Sequence, residues 1–452
     1  MTASVLTALI DALGDAVSTE PVQLEAMRSD KSGYVSDSTP LALVTARSIE
    51  DVQKTLRIAN EFHTPVVTRG AGTGLAGAAT ACAGEIVLSM LAMNRVRELS
   101  VTDQRAVVEP GLINGDFNES LKEHGLWFAP DPASRAISTI GGNIATNAGG
   151  LLCAKYGVTR EAVVGLTVVL ADGRILKLGH NSIKGVTGLD LTALMIGSEG
   201  TLGVIVQATV RLRPLPQGIT VTVGSYFADV ESAVNASIAI TSAGMTPAVL
   251  ELMDAASLGV IDEHLGLRLR ELGGAFLLVQ TDGADSQREA SEIADIIRIA
   301  GGNPQLSHDS AEGDRLLAIR RAFHPALAAR GTVLIEDVSV PRSRMPEMFA
   351  AIAEIERKFA IIIPTVAHAG DGNLHPNFVV DGDAIPETVW EAAGELFSKA
   401  LALGGTLTGE HGVGILKRRW IEDELGYEQL EIQRDIKKVF DPRGILNPGK
   451  VF

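Results

Sequence analysis

Glycine is the feature that most constrains this chain. It accounts for 47 of 452 residues, about a tenth, against a typical ~7%. The excess gathers at 70–77, 141–150, 197–203, 370–372 and 404–414, inside sequence otherwise apolar enough to fold. Glycine lets backbone adopt positive φ or come close to a ligand, so a chain with five such places folds around loops that press main chain against something. With 46% hydrophobic and 21% charged residues the whole chain can be globular, and at this length two or three domains are expected.

Charge narrows the partners. A net charge of −16 disfavours nucleic acid, which needs a basic face, and anionic membrane surfaces. No apolar run approaches the ~18 residues of a bilayer span. The N-terminus lacks an early Lys or Arg and carries Asp11 and Asp15, so it does not read as a signal peptide. Val5, Leu6, Ile10, Leu13 and Val17 instead suit one face of a helix. Cys82 and Cys153 stand in no paired motif, which fits a reducing compartment, and both read as buried fillers. A cytoplasmic location is expected, with peripheral attachment to a membrane as the alternative.

Periodicity sets the elements. Ser48 followed by Ile49, Val52, Leu56 and Ala59 predicts a capped amphipathic helix. Strands are predicted at 64–70, 85–90 and 106–109, a helix at 112–125, a hairpin over 163–178 turning at Asp172-Gly173, and a strand at 203–213. Pro214 and Pro216 mark a boundary. Beyond it, strands at 220–226 and 275–283 alternate with helices at 228–243, 285–300, 311–330 and 344–359. That alternation predicts helices covering a sheet. The tail, FDPRGILNPGK, carries apolar residues that a solvated end does not need and is expected to dock.

Two strings carry metal-type chemistry. HAGDGNLH (368–375) places His368 and His375 at the ends of a turn-prone stretch, and GEHG (409–412) adds Glu410 and His411. Two imidazoles and one carboxylate form a common divalent-metal shell that leaves positions open for substrate. In extended backbone Glu410 and His411 point to opposite faces, which leaves His411 for proton transfer.

Gly72, Gly74 and Gly77 match G-x-G-x-x-G, but the short stretch before Gly84 leaves little room for the long crossover helix of a Rossmann site. The loop can still bind phosphate through successive backbone N–H groups.

PVVTRGAGTGLAG (65–77), PDPASRAISTIGGNIATNAGG (130–150), GLTVVLADGRIL (165–176) and IGSEGTLGVI (196–205) resemble, in this order, the FAD-binding domain of the vanillyl-alcohol oxidase / p-cresol methylhydroxylase fold. With HAGDGNLHPN, TGEHGVG and the terminal GILNPGK the chain resembles the FAD-linked D-2-hydroxy-acid dehydrogenases. That branch includes D-lactate dehydrogenases, the FAD subunit of glycolate oxidase and D-2-hydroxyglutarate dehydrogenases. The resemblance runs from about residue 38 to the end.

It implies an α+β chain with a two-subdomain FAD-binding domain of p-cresol methylhydroxylase type and an α+β substrate (cap) domain with an antiparallel sheet. The organisation expected is an N-terminal helical segment (1–37), the FAD-binding domain (38–216), the substrate domain carrying the metal site (217–425) and a C-terminal segment (426–452) returning to the FAD domain. Non-covalent FAD is implied to contact Arg69, Gly70, Gly72, Thr73, Gly74, Leu75 and Gly77 around the pyrophosphate. Further along, the implied contacts are Pro130, Ser138, Gly141, Gly142, Ala145, Asn147 and Gly149, then Glu199, Gly203 and Ile205, and finally Asn447. His368, His375 and Glu410 are implied to hold a divalent ion (zinc, manganese or iron), with His411 as the base. Asn377 and His411 are implied to contact substrate and Arg320 to grip its carboxylate. The alternative for Arg320, beside Arg321, is a solvated helix charge. Lys184 is a weaker candidate that reads as structural or solvent-facing.

The activity expected is metal-assisted oxidation of a small D-2-hydroxy acid to the 2-oxo acid, with hydride passing to flavin. Members acting on 2-hydroxyglutarate tend to carry a lysine about fifteen residues after the arginine; here that place holds Ile335, followed by Glu336 and Asp337. A second carboxylate then lacks a partner, which favours D-lactate, with glycolate next and D-2-hydroxyglutarate behind. Two rivals remain: a metal-dependent hydrolase with structural Gly loops, and a non-catalytic flavoprotein subunit. Without a Cys cluster for an iron–sulfur centre, electrons must leave to a quinone, an electron-transfer flavoprotein, an iron–sulfur subunit or dioxygen.

Overall fold

The computed structural model describes residues 2–182, 184–380, 382 and 384–452, with side chains from Val5 onward. The chain divides into two compact units. The first comprises 1–149, 157–215 and 410–452; the second comprises 150–156 and 216–409.

The first unit holds two larger sheets. In one, strands Ala42–Thr45, Ile86–Ser89 and Val66–Arg69 run parallel, with Val17–Ser18 antiparallel at the edge. Helix Ile49–Phe62 covers it; Ser48 caps its first turn by accepting from Asp51 N, and His63 closes it in the left-handed region. Val52, Leu56 and Ala59 are buried, as the spacing predicts. The N-terminal helix Thr2–Leu13 buries Val5 and Leu9, whereas Ile10 is 47% exposed. Leu13 and Val17 pack partly buried against the same core as Val5 and Leu9, so the expected face holds there and Ile10 is the member that turns outward. The other sheet is antiparallel, in the order 96–100, 105–108, 204–211, 163–169, 175–179. Cys82 and Cys153 are half-buried rather than buried fillers.

The predicted 112–125 helix is an α-helix over Asn114–Leu121 that tightens to a 3₁₀ turn and stops at Gly125, where φ is +67°. The returning tail docks. Val66 N donates to Ile445 O at 2.7 Å and Asn447 N to Val66 O at 2.9 Å, while Ile445 and Leu446 enter the core beneath the parallel sheet.

The second unit is built on one antiparallel sheet. Strands Asn303–Leu306, Val221–Phe227, Ala275–Thr281, Val249–Asp254, Thr365–His368, Asn373–Val380 and Thr332–Ile335 follow in that spatial order, and Val338–Ser339 also pairs with Asn373–Val380. Helices Ala255–Leu265, Ser310–Arg321 and Phe323–Ala328 pack on the face that carries Met253, Phe276, Leu278 and Val366. The sequence predicts this alternation because each strand buries an apolar face and each helix an apolar stripe.

Candidate active site

The first unit supplies a main-chain cradle. After the strand at 66–69 the chain runs through residues 70–85 without a helix before re-entering the sheet at Ile86. Among the described residues, the backbone N–H groups of Gly70 through Ala78 donate to no protein acceptor. A run of N–H groups of this kind is an anion-binding surface, and it fits the diphosphate of FAD. Thr73, Gly74 and Leu75 lie half-buried at its centre.

Arg69 shapes the loop from beneath. It is 8% exposed, and its guanidinium donates to Ala79 O at 2.6 Å and Ser29 O at 2.8 Å. Its charge therefore braces the loop. Gly72 sits at φ +69°, and a Cβ there would run into that guanidinium; at Gly70 a Cβ would run into Thr139 Oγ1. Gly77 is at φ +81°.

The 130–150 stretch lies alongside. Thr139 caps helix Ile140–Thr146 by accepting from Gly142 N. Gly141 packs on the Pro110 backbone, where a Cβ would meet the carbonyl oxygen at 2.9 Å. Ser138 Oγ accepts from Asn143 Nδ2, and Pro130 O from Asn114 Nδ2. Asn147 ends the helix at φ +52°, and its side chain accepts from Arg160 N. Ala145 O takes the N–H of Glu199. A Cβ on Gly149 would collide with the Glu410 carboxylate, and one on Gly203 with Val168. Gly203 and Ile205 thus pack into the antiparallel-sheet core.

Glu199 and Asn447 join these segments. The buried Glu199 carboxylate accepts from Val413 N at 2.8 Å and Gly414 N at 2.9 Å. Asn447 Nδ2 donates to Glu199 O at 2.7 Å and Ala78 O at 3.1 Å. Glu410 and His411 follow one another on bent, not extended, backbone. His411 Nε2 lies 3.9 Å from Glu410 Oε1, so the two side chains do not diverge to opposite faces. The Gly-rich bend replaces the strand on which that expectation rested.

The second unit brings together the histidine pair. His368 ends one strand, a four-residue turn follows, and His375 lies in the next strand. Register pairs Glu251 with His368, His368 with Asn373, and Val366 with His375, which turns Glu251, His368 and His375 onto one face. The two rings are 5.0 Å apart edge to face, and a ligand nitrogen of each lies within 4.8 Å of one on the other. Gly372 makes the turn possible at φ +88°, where a Cβ would strike Val340 O.

Glu251 is a site residue that sequence reading missed. It is 1% exposed. Oε1 meets His368 Nδ1 at 2.5 Å and Oε2 accepts from Arg320 Nε at 2.8 Å. Burial alone pushes this carboxyl up, but the charges of His368 and Arg320 outweigh it and hold the group below the usual range. The signal was a single acid in the apolar run VLELM: a buried acid is paired. Asp337 is the second such residue. Fully buried, it accepts from Asn373 Nδ2 at 2.6 Å and Thr408 Oγ1 at 2.8 Å, with His375 Nδ1 3.8 Å away.

Arg320 is 7% exposed, not a solvated helix charge. Asn377 is buried and its amide nitrogen donates to Pro364 O and His375 O. Its strand partner is Ile335. Lys184 is exposed, as expected. Among the described residues no helix is long and apolar enough to cross a membrane.

Comparison with known proteins agrees with this geometry. Residues 40–179 match the FAD binding domain model and residues 218–451 the C-terminal domain of FAD linked oxidases. The chain is 40% identical over 421 residues to glycolate oxidase subunit GlcD of Bacillus subtilis, covering 92% of this chain and 89% of that protein. It is 36% identical over 410 residues to D-lactate dehydrogenase of Archaeoglobus fulgidus, covering 90% of each. Among solved structures, p-cresol methylhydroxylase matches with a TM-score of 0.82 at 18% identity, over 99% of this chain and 96% of that one. Alkyldihydroxyacetonephosphate synthase matches with a TM-score of 0.76 at 18% identity, over 98% and 85%. These two likenesses concern the fold. The chain belongs to the FAD-linked oxidase family and is an FAD-linked oxidoreductase on the p-cresol methylhydroxylase fold.

Proposed function

We propose that the chain oxidises a small D-2-hydroxy acid to the 2-oxo acid, with D-lactate favoured and glycolate next. Its support is twofold: relatives named D-lactate dehydrogenase and glycolate oxidase subunit, and the gathering of His368, His375 and Arg320 around one sheet face. FAD, when bound, supplies the acceptor for the α-hydrogen as hydride. His368, His375 and Glu410 would hold a divalent ion, which would supply Lewis-acid polarisation of the substrate hydroxyl.

Arg320 keeps its Nε on Glu251 and offers its two Nη groups to the substrate carboxylate, a geometry that the guanidinium fork suits. His411 takes the hydroxyl proton as general base. Ile335, across from Asn377, gives a second carboxylate no partner, which would cost several kcal/mol if that group were buried. This favours a monocarboxylate over 2-hydroxyglutarate.

Anaerobic mixing of the purified yellow protein with D-lactate, L-lactate, glycolate and D-2-hydroxyglutarate tests the reading. Bleaching should be fastest with D-lactate. No bleaching by any 2-hydroxy acid overturns it and leaves a binding-only flavoprotein. His411→Asn should retain FAD but slow bleaching by about 10²–10⁴-fold; an unchanged rate removes His411 as the base.

A further inference from the structure

Glu251 carries no step in this chemistry, yet its burial calls for a reason. It stands between Leu250 and Leu252 in the otherwise apolar run 249–253 and is 1% exposed. A well-packed apolar side chain in such a place is often no less stable than a buried ion pair. What the carboxylate does have is two cation-type partners, one on each oxygen: His368 Nδ1 at 2.5 Å and Arg320 Nε at 2.8 Å.

We propose that Glu251 is a positioning residue that couples the metal-binding histidine to the carboxylate-binding arginine, so that one side chain sets both halves of the substrate site. The inference rests on the reading of His368 as a metal ligand and of Arg320 as the carboxylate clamp.

Each contact has a defined effect. An imidazole that gives its Nδ1–H to a carboxylate is fixed in ring orientation and presents Nε2 as a more basic ligand nitrogen. A guanidinium held at Nε is fixed in its plane, which leaves the end-on edge formed by its two Nη groups for an incoming carboxylate. Glu251 and His368 are direct cross-strand partners, so the rigid sheet sets their spacing and only Arg320 comes from a helix. Loss of the carboxylate should therefore loosen both sites together. In Glu251→Gln one of the two donors faces an NH₂ group, and one anchor goes.

The test uses FAD-loaded protein stripped of metal and titrated with Zn²⁺ or Mn²⁺ against a competing chelator. Glu251→Gln should weaken metal binding about 10–100-fold and also raise the KM for D-lactate, with flavin content unchanged. Arg320→Met, which removes no ligand, should weaken metal binding severalfold through the shared carboxylate. Wild-type metal affinity in both variants overturns the coupling and leaves Glu251 as packing. If Glu251→Gln does not fold, the metal affinity of Arg320→Met decides alone. Failure of the wild type to bind either ion removes the metal reading itself, and the coupling with it; that result differs from normal binding in every protein.

Discussion

At the scale of single residues, buried acids organise this molecule. Glu199 sits in the left-handed region at φ +48° and ties residues 145, 413, 414 and 447 to one place. Burial pushes its carboxyl up to about 7, and the Val413 and Gly414 N–H bonds and the Lys417 charge offset that only in part. The folded state thus holds a proton that the unfolded chain gives up at its ordinary, lower pKa. Stability falls as pH rises from the ordinary value of 4.5 to about 7, by at most about 3 kcal/mol, and is level above that. Glu199→Gln lacks this titration. The Tm advantage of wild type over the variant should shrink between about pH 5 and about pH 8; a gap that stays constant shows a carboxylate charged throughout. Residue types in a Gly-rich string marked His368 and His375 in advance, and the family resemblance marked Glu199. Glu251 and Asp337 were hidden, because an acid's partner is set by what folds opposite it.

At the scale of elements, turns decide which side chains meet. His368 and His375 converge because the hairpin register puts both on one face, and a one-residue slip would send one strand's set to the other side. The spacing of the motif made that pairing legible before any fold was known. The loop after the strand at 66–69 works differently: among the described residues, the N–H groups of 70–78 have no protein acceptor, while Arg69 braces the loop from below. Gly72→Ala would need a β-carbon both at positive φ and where the guanidinium lies. Such a change costs roughly 1 kcal/mol or more from the backbone alone and disturbs the brace. The variant should purify with much less flavin per protein, measured by absorbance ratio, while the fold of the second unit persists by circular dichroism. Full flavin retention would show that the loop does not bind the cofactor.

At the scale of the whole molecule, the chain leaves the first unit at Gly150, re-enters it at Gly157, leaves after Leu215 and returns for good at Glu410. The residues of the main-chain cradle all belong to the first unit, and the histidine pair to the second. None of the three proposed ion ligands is a residue of that cradle, so removal of metal should separate from loss of cofactor. Prolonged dialysis against EDTA should abolish turnover of D-lactate while the protein stays yellow, and added Zn²⁺ or Mn²⁺ should restore it. Turnover that survives metal removal confirmed by elemental analysis refutes a role for the ion.

Local pattern by itself determined the elements and the motifs: the Ser48-capped helix, the Asp172-Gly173 turn, the glycine loops and the two histidines of the hairpin. Each depends on residues a few positions apart, where φ/ψ preference and period leave little choice. The fold class followed from the family resemblance, and the shared family models and the TM-score of 0.82 agree with it. Only the tertiary structure decided that Arg69 braces a loop, that Glu410 and His411 turn the same way, and that Glu251 joins His368 to Arg320. Those outcomes depend on pairings between residues tens to hundreds of positions apart, and a buried charge takes whichever partner packing brings within hydrogen-bond reach.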